Sequence, residues 1–520
     1  MDEQLATSRR QFLRRVMFGS ATVLSPLVAA CSASSTSETA LSPQDTTDQT
    51  TDTTTSAPGT TETIEVTHWD WYVSQSDAID DIIATFQTEH PNITINRTVN
   101  NVDNNNYANL FQLAIRGDTV PDVFMMPQDV TIQEQVANGW LADLSQFNDF
   151  DAFRRSYPNP NINFLEGTNT IGSMTYSAPF SSPNNAMWIQ MWVNTKVFRD
   201  AGLADSNGEP ILPVTAEEFL DTARTITEQG NGNMYGYGFA AQSNNYHWPL
   251  WMAQLSGAPG GQNGLDYRTG EYTLSKNPAY RQVIDLINTL RDEELILPES
   301  GSLDDESLRV LFLQNTFGLY LNGDWIVNSL KDVAPDFQDY TVTTVPLFGA
   351  TTPQSYFYAK PGGQSFAISA TSKQAEAAWE WFKFLHSAEA GILWVKGGNG
   401  LSVHPTANKP EYIENPALAK LATLGPDMTR VGPDPSLRNA AFGEVKITNP
   451  EPGEREIMQG IYTGQITDID AALEDLDTRW TAAREQAIAD AQAAGADVRI
   501  EDWIFSDWDI TEDYLTTTTT

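Results

Sequence analysis

The hydrophobic positions of the globular part of the chain alternate between strand spacing and helix spacing. Residues 64–69 predict a short strand, after which apolar side chains recur at helical intervals until Pro91. Residues 93–99 predict a second strand, residues 107–114 a second helix and residues 120–126 a third strand. This order is typical of an α/β fold with a parallel sheet and right-handed crossovers.

Parallel sheets of this kind bind ligands beyond the carboxyl ends of their strands. In this chain that rule selects two loops. The loop after the first predicted strand holds Trp69 and Trp71, and the loop after the third holds Gln128. We expect the functional site at these two loops.

The rest of the chain repeats both patterns. Strands are predicted at residues 236–241 and 318–322, and residues 469–487 predict an amphipathic helix that packs on the second half of the fold. Several tryptophans are expected to pack in the core and not to bind a ligand: Trp188, Trp192, Trp379 and Trp381.

The N-terminal segment, residues 1–30, has the features of an export signal. Arg9 and Arg10 precede an apolar stretch at residues 16–30, and small residues lead to Cys31. The pattern resembles a twin-arginine signal that ends in a lipobox, in which the cysteine becomes the lipidated first residue of the mature chain. An ordinary signal peptide with an incidental cysteine is the alternative.

Two further segments are predicted to lie outside the globular fold. Residues 31–61 are mostly Thr, Ser, Asp, Gln and Pro, with Leu41 as their only leucine. Such a composition cannot bury a core, so we expect a flexible tether behind the lipidated cysteine. Residues 513–520 end in a run of threonines and are expected to be a disordered tail.

Charge and cysteine content narrow the possible partners. The 520 residues carry 30 basic and 68 acidic side chains, a formal net charge of −38, which repels phosphate backbones. We therefore expect no nucleic-acid partner. The single cysteine excludes an internal disulfide, and the length is sufficient for two domains.

Motifs of catalysis were not found. The chain has no phosphate-binding Gly-x4-Gly-Lys-Ser/Thr motif, no dinucleotide-binding Gly-x-Gly-x2-Gly motif and no Gly-x-Ser-x-Gly motif of the serine hydrolases. No two of its five histidines have the i, i+4 spacing of metal ligands on a helix. We expect no catalytic residues, metal or cofactor. Residues 205–209 begin like a calcium loop without its distal glutamate, so a surface turn is favoured there. Because the chain has many carboxylates, a catalytic carboxylate pair of the glycosidase type stays an open alternative.

Aromatic and amide side chains are concentrated in predicted loops. Sugars present an apolar C–H face and a rim of hydroxyl groups, so a sugar site needs flat aromatic rings with amides or carboxylates at their edge. The side chains of this kind are Trp69, Trp71, Tyr176, Trp188, Trp192, Asn244, Asn245, Tyr246, Trp248, Trp251, Asn322, Trp325, Tyr356, Tyr358 and Gln364.

A series of short motifs runs in order from about residue 63 to residue 494. It includes Ala114-x2-Gly117-x3-Pro121-Asp122-Val123, Gly139-Trp140-Leu141, Trp192-x-Asn194, Phe317-Gly318-x4-Gly323-Asp324-Trp325, Gly362-Gly363 and Ala378-Trp379-x2-Phe382. The series resembles the family 1 extracellular solute-binding proteins, which are the carbohydrate-capturing lipoproteins of ABC importers.

The resemblance implies an α/β, two-lobed periplasmic-binding-protein-like fold of the class II type, with the ligand in the interlobe cleft. The N-terminal lobe would hold residues 62–180 and 364–402, and the C-terminal lobe residues 181–363 and 403–512. Closure of the lobes on a sugar would be the signal that the permease reads. The implied protein is a monomer, lipid-anchored through Cys31 to the outer face of the cell membrane.

The resemblance also implies ligand contacts at particular positions. These are Trp69, Trp71, Gln128, Tyr176, Trp248, Asp324, Trp325, Gly362, Gly363, Gln364 and, as a weaker candidate, Arg438. The chain departs from the family pattern at residues 245–248 and in its extension over residues 499–514.

Two other functions stay open. A binding protein of the same fold would take a polyol phosphate, a peptide or another solute, and a phosphorylated ligand would need clustered Arg or Lys in the cleft. A secreted glycoside hydrolase would turn its sugar over.

Overall fold

The structure, a computed structural model, describes residues 63–73, 75–100, 104–127, 130–158, 160–180, 189–241, 245–359 and 365–514. Several predictions concern residues outside these ranges: the export signal, Cys31, the tether, the end of the C-terminal tail, Gln128, Trp188, Asn244, Gly362, Gly363 and Gln364. Among the residues that are described, no helix has the length and hydropathy to cross a membrane.

The part of the chain that the structure describes combines short strands with helices. The strands are β1 (Ile64–Asp70), β2 (Ile93–Val99), β3 (Val123–Met125), β4 (Thr170–Ile171), β5 (Met174–Thr175), β6 (Ala178–Pro179), β7 (Gln190–Asn194), β8 (Tyr235–Gly238), β9 (Leu265–Asp266), β10 (Glu271–Tyr272), β11 (Phe317–Asn322), β12 (Tyr340–Thr343), β13 (Phe357–Ala359), β14 (Ser365–Ile368) and β15 (Thr429–Val431). The α-helices are α1 (Ser76–Glu89), α2 (Asn104–Arg116), α3 (Ile132–Ala137), α4 (Phe150–Ser156), α5 (Pro160–Asn163), α6 (Thr195–Asp200), α7 (Ala216–Gly230), α8 (Pro278–Asp292), α9 (Asp305–Leu313), α10 (Ile326–Val333), α11 (Ala375–Leu385), α12 (Ala388–Lys396), α13 (Pro416–Met428), α14 (Glu454–Tyr462) and α15 (Ile469–Ala493). A long 3₁₀ helix spans Asn245–Ser256.

The first sheet has five strands in the order β2-β1-β3-β14-β6. Strand β1 pairs in parallel with β2 and β3, whereas β14 pairs antiparallel with β3 and β6. The predicted β-α-β-α-β unit is therefore confirmed. One detail of the prediction was wrong: Trp69 was placed in the loop after the first strand, but β1 extends through Asp70 and includes it.

Buried and half-buried polar side chains connect β1 to its neighbours. Asp122 Oδ2 accepts hydrogen bonds from Thr67 N at 2.9 Å and Thr67 Oγ1 at 2.7 Å, and its Oδ1 accepts one from Ser372 Oγ at 2.6 Å. On the other side, Asp70 accepts two hydrogen bonds from the Arg97 guanidinium, at 2.7 and 2.9 Å. Because Asp122 bonds to both β1 and Ser372, its position in the recognised motif has a structural reason.

The Asp70 carboxylate is fully buried beside His68 and Arg97. Burial alone would raise the pKa of Asp70, but hydrogen bonds from His68 and Arg97 outweigh it and lower the pKa to about 2. The carboxylate is therefore ionised in the folded protein at neutral pH, and its ion pair with Arg97 joins β1 to β2.

The second sheet has four strands in the order β12-β7-β11-β8. Every residue of β7 and β11 is buried, so both strands read as continuous apolar runs with a few satisfied amides. A Cβ at Gly236 in β8 would lie only 2.4 Å from Ala223 Cα, so glycine is needed there for α7 to pack on the sheet. The strand predicted at residues 236–241 is observed as β8, and the one at 318–322 as β11.

The tryptophans predicted to pack in the core do so where the structure describes them. Trp192, Trp379 and Trp381 are at most 1% exposed. The late amphipathic helix is also confirmed, as α15, and its Trp480 stacks on Tyr272 of β10 with ring centroids 5.5 Å apart. The predicted surface turn is present as well, since Asp205 Oδ1 accepts hydrogen bonds from two backbone N–H groups further along it.

Candidate functional site

Two of the predicted tryptophans form an edge-to-face pair. Trp248 lies on the 3₁₀ helix and Trp325 immediately precedes α10, and their ring centroids are 6.2 Å apart with an interplanar angle of 76°. Both indoles are half-buried against the main core, so part of each remains accessible. The pair, called here the tryptophan pair, offers flat apolar surface to a ligand.

Glycine at position 323 permits the conformation of Trp325. A Cβ on Gly323 would lie 1.9 Å from Trp325 Cζ3, which means that the indole folds back directly over the backbone. The preceding Asn322 is fully buried, and its side chain accepts a hydrogen bond from Gly323 N at 2.8 Å and donates one to Asp305 at 3.0 Å. The turn that presents Trp325 is thus held by the end of β11.

Asp324 lies between Gly323 and Trp325, and the pKa of its carboxyl group is raised. Although the residue as a whole is half-buried, burial of its carboxyl group raises its pKa to about 6, against the opposing effect of the Asp324 and Trp325 backbone N–H groups. A partly desolvated carboxylate is a strong hydrogen-bond acceptor, and groups with shifted pKa values are concentrated at functional sites.

The neighbour of Asp324 is the loop that follows α12. A Cβ on Gly400 would lie 2.7 Å from Asp324 Oδ2. In the same loop, Asn399 Oδ1 accepts a hydrogen bond from Asn328 Nδ2 of α10. Position 400 falls in the range predicted for the N-terminal lobe and α10 in the range predicted for the C-terminal lobe, so Asp324 lies where the two predicted lobes meet.

The end of β1 reaches the same neighbourhood through α12. Tyr72 packs on Trp394 of α12 with ring centroids 5.0 Å apart, and α12 leads directly into the loop beside Asp324. Trp71 turns the other way and packs edge-on against Tyr107 at 4.9 Å. Since the Tyr107 hydroxyl donates to Met125 O at the end of β3, Trp71 and the carboxyl end of β3 are brought together, as the sheet topology predicts.

Trp69 and Tyr176 share a separate small cluster. Both pack with Phe111 and Phe124, and Tyr176 is only 5% exposed. Burial raises the pKa of Tyr176, and its hydroxyl donates to Met174 Sδ at 3.2 Å. The structure therefore brings these two predicted contacts together, but it does not place them against the tryptophan pair.

Arg438 lies against the C-terminal extension. Its guanidinium carbon is 3.9 Å from the centroid of the Phe505 ring, and Nη2 is 2.7 Å from Asp507 Oδ1. Nη1 also donates to Ile504 O. The guanidinium thus has three partners among residues 504–507, so any ligand of Arg438 would have to share it with the extension.

Sequence analysis did not find the part that residues 399 and 400 play beside Asp324. They are far from α10 in the chain, since the two bonded asparagines are 71 positions apart. No local pattern signals such a contact. Within the described ranges, no three His, Cys, Asp or Glu side chains converge on a point that could hold a metal ion.

A protein-family model matches most of the globular part of the chain. The family model described as bacterial extracellular solute-binding protein matches residues 72–392, more than half of the 520 residues. A search of the curated proteins gives no match.

Several solved structures share the fold. The GacH receptor of Streptomyces glaucescens, solved unliganded and with acarbose, is 17% identical, with 81% of this chain and 99% of that chain covered and a TM-score of 0.59. The apo form of RafE from Streptococcus pneumoniae is 18% identical over 82% and 100% of the two chains, with a TM-score of 0.57. The MalE domain of Bdellovibrio bacteriovorus, bound to maltotriose, is 18% identical over 82% and 100%, with a TM-score of 0.54. The predicted two-lobed binding-protein fold is thereby confirmed.

Proposed function

Because this chain belongs to the bacterial extracellular solute-binding proteins, we propose that it captures a sugar or oligosaccharide outside the cytoplasm and delivers it to an ABC permease. The observation that carries this proposal is the tryptophan pair with the Asp324 carboxylate beside it. Aromatic faces suit the C–H face of a sugar ring, and a desolvated carboxylate suits its hydroxyl groups.

The ligands bound in the structural relatives support a sugar. GacH was solved with acarbose, a further RafE structure with raffinose, and the MalE domain with maltotriose. All three are oligosaccharides or mimics of them, and all three proteins share this fold. We therefore favour an oligosaccharide over a phosphorylated ligand or a peptide.

The site would form between two lobes that close on the ligand. We propose residues 62–180 and 364–402 for the N-terminal lobe and residues 181–363 and 403–512 for the C-terminal lobe. The proposed contacts are Trp69, Trp71, Gln128, Tyr176, Trp248, Asp324, Trp325, Gly362, Gly363, Gln364 and Arg438. The meeting of the loop after α12 with α10 supports a ligand position beside Asp324.

The protein would act as a tethered, monomeric receptor without turnover. We propose that residues 1–30 are a twin-arginine export signal, that Cys31 carries the lipid, and that residues 31–61 hold the globular part away from the outer face of the membrane. Capture and release need no catalytic group, because the binding free energy itself stabilises the closed state that the permease would recognise.

A ligand screen tests the proposal. The full chain with Cys31→Ser, which cannot be lipidated, would be melted in the presence of mono-, di- and oligosaccharides, glycerol phosphates and peptides. A ligand that binds only the folded state raises the melting temperature. We expect a rise with one class of sugar.

Matched variants connect that rise to the site. Trp325→Ala should lose most of it, whereas Tyr412→Ala removes a half-buried aromatic ring beside Lys409 and should keep it. A rise in melting temperature with a peptide or a glycerol phosphate alone would show that this solute, and not a sugar, is the ligand. Consumption of the sugar would show that the protein is an enzyme and not a receptor.

A further inference from the structure

A second aromatic pocket lies in the C-terminal half of the chain. It is partly open, has a cavity volume of about 170 Å³, and lies between the 3₁₀ helix, the turn at residues 259–265, β13 and the segment after β15. Its lining includes Trp251, Gln254, Asn263, Tyr358, Asp434 and Trp508. A cavity of about this size holds a single ring, so it suits one end of a longer ligand.

One wall of this pocket comes from the C-terminal extension, residues 499–514, which departs from the family pattern. Trp508 lines the pocket and packs edge-on against Tyr358, with ring centroids 4.7 Å apart. The Tyr358 hydroxyl donates to Ile510 O at 2.6 Å, and Phe505 N donates to Tyr267 O at 2.6 Å. Tyr267 and Tyr358 both line the pocket. The extension therefore forms one wall of the pocket and is hydrogen-bonded to residues of the other walls. We call the whole the tail-walled pocket.

The far end of the extension is fixed in the same way. Tyr514 N donates to Val431 O at 2.8 Å, and Val431 N donates to Asp513 Oδ1 at 2.7 Å. These two bonds hold residues 513 and 514 against the end of β15, immediately before the pocket residues Gly432, Pro433 and Asp434. The wall that Trp508 supplies is therefore held on both sides.

The lining has the chemistry of a carbohydrate site. Trp251 and Tyr358 are half-buried, so each keeps an accessible part. Gln254 is 3% exposed, and its buried Oε1 accepts no hydrogen bond from the part of the chain that the structure describes. A ligand hydroxyl group would satisfy that oxygen. None of the described residues that line the pocket is basic, which argues against a phosphorylated ligand.

One helix carries a residue of the tryptophan pair and a residue of the tail-walled pocket. Trp248 and Trp251 are three positions apart on the 3₁₀ helix, and side chains at this spacing lie above one another on the same face. A ligand that covers Trp248 therefore has a second aromatic side chain one helical turn away. The glycine at 261 lets the Trp251 ring approach, since a Cβ there would lie 3.1 Å from Trp251 Cζ3.

We propose that the tail-walled pocket binds one terminal unit of an oligosaccharide whose preceding units lie on the tryptophan pair. The C-terminal extension is then a length-selecting part of the receptor, because it builds a position that only a longer ligand can reach. This inference rests on the proposed function and adds the size of the substrate to it.

The test measures affinity against ligand length. The full chain with Cys31→Ser would be titrated calorimetrically with glucose, maltose, maltotriose and maltohexaose, with the xylo-oligosaccharides of one to six units, and with sucrose, raffinose and stachyose. Wild-type affinity should rise with length in the series that binds. Trp508→Ala should weaken the longest ligand at least about fivefold, the loss expected for one aromatic contact, and the shortest less than about twofold.

Two further variants protect the test against misfolding of the extension. Asn263 is half-buried and lines the pocket, so Asn263→Ala should show the same length dependence at smaller size without loss of thermal stability. Tyr412→Ala, at a half-buried ring that does not line the pocket, should change no affinity. Equal losses for short and long ligands, or wild-type affinity that does not depend on length, would overturn the inference while leaving sugar capture intact. Failure of every sugar to bind the wild type would overturn both.

Discussion

The cost of keeping Asp324 ionised gives the sharpest prediction. Burial raises the pKa of this carboxyl group from its usual 3.8 to about 6. Such a difference corresponds to about 3 kcal/mol at pH 7.5, because one pKa unit is worth about 1.4 kcal/mol. The residue is half-buried, so solvent screens part of this, and we take about 1–2 kcal/mol as the penalty.

The sign follows from proton linkage. A carboxyl group whose pKa is raised by folding favours the folded state while it is protonated, and this contribution is lost as the pH rises through about 6. Asp324→Asn keeps the shape and removes the charge. The variant should therefore match the wild type near pH 4 and exceed its free energy of unfolding by about 1–2 kcal/mol at pH 7.5.

Binding should change in the opposite direction. If the carboxylate accepts hydrogen bonds from the sugar, Asp324→Asn should weaken affinity roughly tenfold or more at pH 7.5, since a hydrogen bond to a charged group is worth about 1.5–3 kcal/mol. Wild-type affinity should likewise fall as the pH drops from 7.5 to 5. A variant that is more stable but binds less well is the signature of a residue kept for function.

The assay is urea unfolding followed by tryptophan fluorescence at pH 4 and pH 7.5, with calorimetry of the sugar found in the screen. Asp336→Asn, at an exposed aspartate, serves as the control and should change neither quantity. An Asp324→Asn protein that is no more stable than the wild type at pH 7.5 would refute the electrostatic reasoning. Unchanged affinity would remove Asp324 from the ligand site.

Three other predictions follow from named contacts. Trp248→Ala and Trp325→Ala should each weaken sugar binding about fivefold or more with circular dichroism unchanged, and unaltered affinity in both would remove the tryptophan pair from the site. Gly323→Ala should displace the Trp325 ring, since its Cβ would lie 1.9 Å from that ring, and should lower affinity as much as Trp325→Ala does. Asp70→Asn should cost about 3 kcal/mol of unfolding free energy at pH 7, because it removes the buried carboxylate and leaves the exposed Asp80 as the remaining ion-pair partner of Arg97. The contribution of Asp70, whose pKa is lowered to about 2, is present above pH 3.8 and lost towards pH 2. A loss under 1 kcal/mol in urea unfolding would contradict this prediction.

The first strands and helices, and the long helix near the C-terminus, could be predicted from the sequence because their hydrophobic patterns are local. The alternation at residues 64–69 and the helical spacing up to Pro91 fall on β1 and α1, and the amphipathic pattern near the C-terminus falls on α15. Trp69 was assigned wrongly because the strand continues through Asp70, whose carboxylate is stabilised by Arg97, a residue of the neighbouring strand. That bond cannot be seen in the spacing of β1 alone.

Single residues of the site could be predicted from the sequence, but their contacts could not, because these contacts join segments that are far apart in the chain. Asp324 and Trp325 could be selected from a motif at the end of a strand, and Trp248 from the aromatic content of a loop. Their packing could not. The approach of Gly400 to Asp324 and the wall that Trp508 builds on Tyr358 join segments far apart in the chain, and no periodicity connects them.

The measurement that tests the central claim most directly is equilibrium dialysis of the full chain with the sugar that stabilises it most in the screen. The retained ligand would be counted per protein and identified by mass spectrometry after several hours. Capture predicts about one intact sugar per chain, retained by the wild type and lost from Trp325→Ala. A sugar that is not retained, or that is recovered as shorter products, would contradict the claim that this protein binds its ligand without transforming it.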